Sequence, residues 1–178
     1  STSDFQTVDE AIDALLSCGV TAPVTMEFQP GTYTGPWIIT EIPGASIVNT
    51  VTFDGIDPAT TVVTHDGFGS DVATITYDGV DYFTIKNFSI RSSGLNTAYA
   101  VLFTDQADYN TLEDNLISVP VSGSLNNVVA VLFSANKTSS TGSSAEGNNG
   151  NWNLIKGNDI NGGVSGIILE GGAANFEN

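Results

Sequence analysis

Basic residues are almost absent from this chain of 178 residues. Lys86, Arg91, Lys137 and Lys156 stand against 20 acidic side chains, which gives a formal net charge of −16. A charge this negative repels phosphate backbones and excludes nucleic-acid binding driven by counterion release. It also argues against a polyanionic substrate such as pectate, which would meet a surface of its own sign.

Cysteine, histidine and long apolar runs are equally scarce. Cys18 is the only cysteine and His65 the only histidine, which excludes an internal disulfide, a cysteine-rich zinc site and most histidine-based sites. No run approaches the roughly 20 apolar residues of a membrane-spanning helix, and no basic amphipathic segment indicates adsorption to a membrane. We therefore expect no cofactor, no metal ion and no insertion into a membrane.

Small polar residues are abundant instead, since 72 of the 178 residues are Thr, Ser, Asn or Gly. Gly, Asn and Ser are weak helix formers and threonine suits a pleated surface, so this composition favours strands and turns. The hydrophobic fraction of 40% suffices for a core, and the length fits one domain over residues 1–178. High acidity with little lysine is typical of exported proteins and predicts an extracellular or cell-surface location.

The first twenty residues carry the one clear helix signal. Thr7 and Glu10 form a Thr-x-x-Glu capping box, in which hydroxyl and carboxylate satisfy backbone donors reciprocally. Apolar residues then recur at helical spacing along one face: Val8, Ala11, Ile12, Leu15 and Leu16. Gly19 is suited to end this helix in a left-handed conformation.

After Gly19 the chain consists of short apolar runs separated by turn signals such as Pro30-Gly31 and Asp78-Gly79. Runs of this length and spacing predict an all-β protein. The runs are Val24–Phe28, Trp37–Ile39, Val51–Phe53, Thr61–Thr64, Ala73–Tyr77, Tyr82–Ile85, Phe88–Ile90, Ala100–Phe103, Val128–Phe133, Leu154–Ile155 and Gly166–Leu169.

Two internal series of repeats indicate how these strands are arranged. The string Ala-Val-Leu-Phe occurs at 100–103 and 130–133, with related copies at 166–169 and 74–77 and an earlier one at 51–53. In the second series, residues 110–117 match 153–160 in an Asn-x-[Leu/Ile]-x-x-Asn-x-Ile frame, and 84–88 fits with one residue deleted. Asparagine tolerates the left-handed region and its amide can bond to the next repeat, so we predict an asparagine ladder of Asn87, Asn115 and Asn158.

A repeat of about 24 to 30 residues with two or three short strands is typical of a parallel β-helix, whose stacked coils share one core. We predict a right-handed parallel β-helix of about six coils over residues 21–178, with a flexible insertion loop at 136–151. The amphipathic helix in residues 1–20 would cover the first coil and its unpaired edges. An antiparallel β-sandwich is the alternative.

Nothing resembles a second cap, so we expect either a longer chain, of which this is the N-terminal part, or an end-to-end contact at an open last coil.

The opening of the chain resembles pectin-lyase-like right-handed β-helix proteins. Residues 4–14, read with Pro30-Gly31-Thr32-Tyr33, are similar to the start of pectin methylesterases. Longer stretches are similar to the β-helix regions of large Bacteroidetes surface proteins, which leave the cell by the type IX system with a C-terminal sorting domain that is absent here: 35–42, 44–46, 49–53, 78–82 and 86–88. This resemblance implies the fold and a secreted location.

The activities that the resemblance implies lack their motifs. Pectin methylesterases are expected to carry two aspartates, an arginine and glutamines, but the nearest string, residues 105–108, has the wrong order. Polysaccharide lyases are expected to use a basic residue, and the four basic residues are scattered. A glycosidase needs two carboxylates about 5 to 9.5 Å apart; Asp78 with Asp81, or Asp105 with Asp108, could supply them, although turn positions explain these aspartates equally well.

Four further residues have ordinary structural explanations. We expect His65 to be an exposed loop histidine and Cys18 to be a small buried residue under the helix. Trp37 and Tyr33 could form a platform for sugar rings, but packing in the core or a loop is the simpler expectation. Acidic turns could bind calcium, yet no known calcium-loop pattern is present.

Two hypotheses of function remain. The first is a secreted or cell-surface module without enzymatic activity, a scaffold or adhesin that contacts a carbohydrate or a surface protein, within an extracellular assembly. The second is a carbohydrate-active β-helix enzyme, lyase-like or pectinesterase-like, whose catalytic residues lie outside this segment.

Overall fold

The computed structural model of the chain describes residues 4–67, 70–94, 96–121, 127–141 and 149–171. One helix precedes fifteen short strands. The helix is α1 (Val8–Cys18), and the strands are β1 (Val24–Glu27), β2 (Gly31–Thr34), β3 (Trp37–Ile39), β4 (Val51–Asp54), β5 (Thr61–His65), β6 (Ala73–Asp78), β7 (Phe83–Lys86), β8 (Ser89–Ser92), β9 (Ala98–Thr104), β10 (Thr111–Glu113), β11 (Leu116–Ser118), β12 (Val128–Phe133), β13 (Leu154–Lys156), β14 (Asp159–Asn161) and β15 (Ser165–Leu169).

The strands form three parallel sheets of five strands each, as a parallel β-helix requires. Sheet A has the order β1-β4-β7-β10-β13, sheet B the order β2-β5-β8-β11-β14 and sheet C the order β3-β6-β9-β12-β15. Three consecutive strands therefore make one coil, and each coil pairs only with the coil before it and the coil after it. A right-handed winding, the sense of nearly all parallel crossovers, is compatible with this topology.

The described chain forms five coils, so the expected number of about six is wrong. Successive strands of sheet A are offset by 27, 32, 27 and 43 residues, as the pairs Val24–Val51, Val51–Phe83, Thr84–Thr111 and Thr111–Leu154 define. The last offset includes the insertion at 136–151. An estimate that assumes about 27 residues for every coil therefore gives too many coils.

The core is a continuous column of side chains that point into the coils. In sheet A the inward positions of β4 and β7 hold Val51, Phe53, Phe83 and Ile85, all fully buried. In sheet C the rings of Tyr77, Phe103 and Phe133 stack with centroids 4.3 Å apart at each step. Such contacts between successive coils supply the apolar burial that a single coil cannot.

The Ala-Val-Leu-Phe repeats lie in sheet C, in the register expected of neighbouring coils. Val101 pairs with Ile75 on one side and with Val131 on the other, and Val131 pairs with Ile167. The assignment of Val51–Phe53 to this series, as its earliest copy, is wrong because that segment lies in sheet A. The first strand of sheet C is instead Trp37–Ile39.

A second apolar cluster lies on sheet C, apart from the core inside the coils. Residues of neighbouring coils pack side by side in it: Val72, Ala73, Tyr99, Leu102, Val129 and Leu132. The described part of the insertion at 136–151 is anchored beside it. Lys137 Nζ lies 2.7 Å from Asp78 Oδ2, and Ser140 Oγ lies 3.0 Å from Asn127 Oδ1. Residues 142–148 of this loop lie outside the described residues.

Helix α1 packs its apolar face on the first coil. Both bonds of the capping box form, from the Glu10 N–H to Thr7 Oγ1 and from the Thr7 N–H to Glu10 Oε2. Gly19 has a φ of 64° but a ψ of −172°, outside the left-handed helical region, and its N–H donates to Leu15 O. A Cβ there would lie 2.5 Å from Pro43 O, so this end of the helix requires glycine.

Two expectations about single side chains are wrong. Cys18 is exposed because it lies beyond the last buried residue of the helix face, Leu15. His65 is the last residue of β5 and its side chain is only 10% exposed; its Nε2 lies 2.8 Å from Asp71 O. Among the described residues, no helix has the length and apolar character to cross a bilayer.

Candidate functional site: an exposed aromatic column

A pair of residues, Asp or Asn followed by an aromatic residue, recurs at one corner of three successive coils. The pairs are Asp81-Tyr82, Asp108-Tyr109 and Asn151-Trp152, and each stands just before a strand of sheet A. Because the coils stack in register, the three aromatic residues lie one above another. We call Tyr82, Tyr109 and Trp152 the aromatic column.

The rings of the aromatic column are nearly parallel. The centroids of Tyr82 and Tyr109 are 5.1 Å apart with planes at 3°, and those of Tyr109 and Trp152 are 6.4 Å apart at 5°. Exposure increases along the column, to 46% for Tyr109 and 78% for Trp152. The column is therefore an aromatic surface outside the core, with its widest exposed ring on the fifth coil.

The backbone at all three positions is strained. Tyr82, Tyr109 and Trp152 have φ values of 55°, 59° and 58°, in the left-handed region that bulky residues rarely occupy. Each such residue costs on the order of 1–3 kcal/mol and tends to occur where surrounding contacts or a function require it. Three aromatic residues in this conformation, in register, are therefore a reason to look for a function at this corner.

The residues that precede the three rings, Asp81, Asp108 and Asn151, form a second column beside them. The Asp108 N–H donates to Asp81 Oδ1 at 2.8 Å, and the Asn151 N–H donates to Asp108 Oδ1. Burial, together with repulsion from Asp108 and Glu41, raises the pKa of Asp81 against the lowering effect of its backbone hydrogen bond. The Asn151 amide nitrogen lies 3.4 Å from Asp108 Oδ1, so polar groups lie next to the most exposed rings.

Asparagine ladders fix the same corner and the next one in position. At the first, the Phe83 N–H donates to Asn110 Oδ1 and the Asn110 N–H to Asn153 Oδ1. At the second corner, Asn115 and Asn158 repeat this arrangement: the Phe88 N–H donates to Asn115 Oδ1, and the Asn115 N–H to Asn158 Oδ1. These bonds satisfy backbone donors that the turn would otherwise leave buried without a partner.

The prediction that Asn87 belongs to this ladder is wrong. Residue 84 pairs with residue 111 and residue 89 with residue 116, so no residue is deleted and Phe88, not Asn87, stands above Asn115. Asn87 adopts a φ of 60° and points outward, where its amide donates to Asp54 Oδ1 at 2.8 Å.

The lysines lie away from this corner and are engaged in ion pairs. Lys86 Nζ lies 3.0 Å from Asp54 Oδ2, Lys137 pairs with Asp78, and Lys156 pairs with Glu113. Arg91 Nε donates to Ser89 Oγ at 2.9 Å.

The ion pairs also affect the pKa values of their members. Burial alone would raise the pKa of Asp54, but hydrogen bonds from Asn87, Lys86 and one backbone N–H lower it overall. The hydrogen bond and charge of Glu113 raise the pKa of Lys156. These charges therefore stabilise one another across the coils.

The sequence candidates for catalysis or sugar binding have structural roles. Asp78 binds Lys137, Asp81 and Asp108 accept backbone hydrogen bonds, and Asp105 lies in a turn with a φ of 54°. Trp37 is 1% exposed in the core, and the Tyr33 hydroxyl donates to Gln29 O. Within the described ranges, no three His, Cys, Asp or Glu side chains are grouped as metal ligands would be.

Sequence reasoning missed the aromatic column, although a signal was present. The Asp/Asn–aromatic pairs recur with offsets of 27 and 43 residues, the same offsets that relate the strands of sheet A. Chemically, the column offers aromatic carbon next to amide and carboxylate oxygen, an arrangement suited to binding amphipathic ligands.

Comparisons of the chain with models of protein families, with curated proteins and with solved structures found no match.

Proposed function

We propose that this chain is a binding module without enzymatic activity, a scaffold or adhesin of a secreted or cell-surface protein, and that the aromatic column is its contact surface for a neutral carbohydrate. The exposure of the aromatic column is the observation on which this proposal rests. Trp152 is 78% exposed beside Tyr109, and exposed aromatic surface bordered by polar groups is typical of interaction sites.

A sugar ring fits the chemistry of this surface. One face of a pyranose is rich in C–H groups and packs on an aromatic plane, which the exposed Trp152 ring offers, while its hydroxyls can bond to Asn151 and Asp108. Tyr82 and Tyr109 stack on each other, so they present their ring edges to the ligand and hold the column in position. The most exposed ring is therefore the principal contact.

The charge of the chain selects against acidic glycans. With a net charge of −16, and with Asp81 and Asp108 beside the rings, the surface repels uronate polymers. Lys86, Lys137 and Lys156 are held by carboxylates and are not free to bind an anion. A neutral glycan meets no such barrier.

The assignment to a module without enzymatic activity is supported by what the candidate acids do. Asp78 forms an ion pair and Asp81 holds the backbone of the next coil, so neither has the free position of a general acid or nucleophile. The opening residues resemble pectin-lyase-like proteins, and later stretches between residues 35 and 88 resemble type IX-secreted surface proteins. Both resemblances support the location at the cell surface.

The test is binding of neutral glycans on a microarray, followed by calorimetry with the best ligand. Trp152→Ala should abolish binding, Tyr109→Ala should weaken it, and Trp152→Phe should retain part of it because an aromatic plane remains. Ile47→Ala is the matched control, since Ile47 is equally exposed but lies in a loop outside the column.

Equal binding by Trp152→Ala and the unaltered protein would refute the role of the column. Incubation with pectins and alginates tests the enzymatic alternative. Release of unsaturated uronides or methanol by the protein would overturn the proposal of a module without enzymatic activity.

A further inference from the structure

A cleft of about 700 Å³ separates the start of helix α1 from the first coil. Residues 4–8 and Ala11 form one wall. The six consecutive residues 24–29, with Tyr33, form the other. Its volume lies in the range of ligand-binding clefts, and it lies at the opposite end of the coils from Trp152.

The cleft runs along the free edge of strand β1. Side chains of consecutive strand residues point to opposite faces, so a cleft lined by all of residues 24–29 must follow the edge of the strand and not one face. β1 is the outermost strand of sheet A. The Val24 N–H donates to Thr50 O and the Phe28 N–H to Asp54 O. Because bonding direction alternates along a strand, the N–H and C=O groups of Thr25 and Glu27 face the cleft.

The inward side chains of β1 are incompletely covered by the helix. Val24 and Met26 are half-buried, whereas their partners in the next coil, Val51 and Phe53, are fully buried. Helix α1 buries Ala11, Ile12 and Leu15 but leaves apolar surface at the β1 side. The expectation that the helix covers the whole first coil is therefore only partly met.

The described lining of the cleft is acidic. Asp4 and Glu27 line it, and none of the described lining residues is basic. Glu27 is in register with Asp54, and the carboxylate of Asp54 binds Lys86. This lysine therefore balances the charge of Asp54 and not that of Glu27. A cationic group placed beside β1 would gain the attraction of Glu27.

We propose that this cleft binds an extended peptide segment of a partner protein, which adds to β1 as a further strand of sheet A and whose side chains alternate between apolar and basic. Its backbone bonds to Thr25 and Glu27, its apolar side chains cover Val24 and Met26, and its basic side chains approach Glu27. This is recognition by strand addition, in which the main chain supplies affinity and alternate side chains supply specificity.

The experiment uses the whole chain and a fluorescein-labelled, end-capped peptide of sequence Lys-Val-Lys-Val-Lys, with anisotropy as the readout. Thr25→Pro removes the N–H that faces the cleft and leaves the bonds to β4, since proline is tolerated at a sheet edge. It should weaken binding at least about tenfold. The matched control Thr25→Val keeps the N–H and should bind within about twofold of the unaltered protein.

Three further measurements test the charge preference and the strand addition separately. Glu27→Gln should weaken binding and reduce its dependence on salt, and the peptide Glu-Val-Glu-Val-Glu should bind far more weakly. In the unaltered protein, hydrogen exchange at the Thr25 and Glu27 amides should slow when the Lys-Val peptide is added. This last readout holds even if Thr25→Pro disturbs folding, which circular dichroism would reveal.

Unchanged exchange at both amides in the presence of saturating peptide overturns strand addition. Equal binding of the acidic peptide overturns the charge preference, and binding of free valine derivatives with the affinity of the peptide indicates an apolar pocket instead. Association of the chain with itself through this edge, seen as a dimer in ultracentrifugation that Thr25→Pro abolishes, would make a second copy the occupant and refute the partner peptide.

Discussion

At the scale of single residues, the corners of the coils depend on buried amides. Asn110 and Asn115 are each 1% exposed. The side chain of each accepts from a backbone N–H and donates to a backbone carbonyl of the coil before, and the N–H of each donates to an asparagine of the coil after. A short side chain that both donates and accepts is needed because the corner turns its peptide groups inward. Residue type at these corners therefore follows from hydrogen-bond satisfaction.

We expect Asn115→Ala to lower the free energy of unfolding by about 2–4 kcal/mol, because the buried Phe88 N–H would lose its acceptor and the Ile85 carbonyl would lose a donor. Urea denaturation at pH 7 measures this. Asn87→Gly is the control: it keeps the positive φ and removes one partly buried bond to Asp54. Asp54 keeps its ion pair with Lys86, so we expect a smaller cost of about 1 kcal/mol. Equal costs for the two substitutions would refute the difference between ladder and surface asparagines.

Asp81 lies next to like charges, and this has a consequence for pH. Its folded-state pKa is raised by burial and by Asp108 and Glu41, so its ionised form opposes folding above that pKa, and the penalty disappears below the ordinary carboxyl pKa of about 3.9. Asp81→Asn keeps an Oδ1 acceptor for the Asp108 N–H. We expect the variant to be more stable at pH 7 by up to about 1 kcal/mol.

The difference between Asp81→Asn and the unaltered protein should vanish near pH 3, where both side chains are neutral. Urea midpoints at the two pH values provide the measurement. A variant that is less stable than the unaltered protein at pH 7 would mean that the charge of Asp81 is needed at this corner.

At the scale of elements, prediction succeeded where the signal is local. The capping box and apolar face of α1 lie within residues 7–16, so the helix could be recognised without tertiary contacts. Most strands were recognisable as apolar runs. Four strands were missed. β2 (Gly31–Thr34) was missed because Pro30-Gly31 reads as a turn, and β10, β11 and β14 because each has three residues, only one or two of them apolar. All four form strands by pairing with the neighbouring coils.

For helix α1 we expect Thr7→Ala to reduce stability by about 1 kcal/mol, since the Glu10 N–H loses its acceptor. Glu10→Gln should cost less, because glutamine can accept the Thr7 N–H in the same capping box. Thermal unfolding followed by circular dichroism compares the two. The idea that this box secures the helix would be contradicted if Thr7→Ala unfolded at the temperature of the unaltered protein.

At the scale of the whole molecule, the fold was predicted from the sequence and the aromatic column was missed. Repeats of similar strings indicate stacked coils whatever their number, because each coil needs its neighbours to bury its apolar residues. The aromatic column depends on register across offsets of unequal length, 27 and 43 residues. The match of residues 110–117 to residues 153–160 already contains the second offset. That match begins one residue after Tyr109 and Trp152, so the two aromatic residues were not compared.

A column of coils with nearest-neighbour contacts should also respond to substitution according to position along its axis. Ile85 and Ile155 occupy one inward line of sheet A, joined through Leu112, but Ile85 is fully buried between coils and Ile155 is half-buried in the last described coil. We expect Ile85→Ala to cost about 3–4 kcal/mol and Ile155→Ala about 1 kcal/mol in urea denaturation. Hydrogen exchange should show the same gradient, with the amides of β13 opening before those of β7. Equal losses at the two positions would show instead that the coils unfold as one unit whose fifth coil is as well packed as its third.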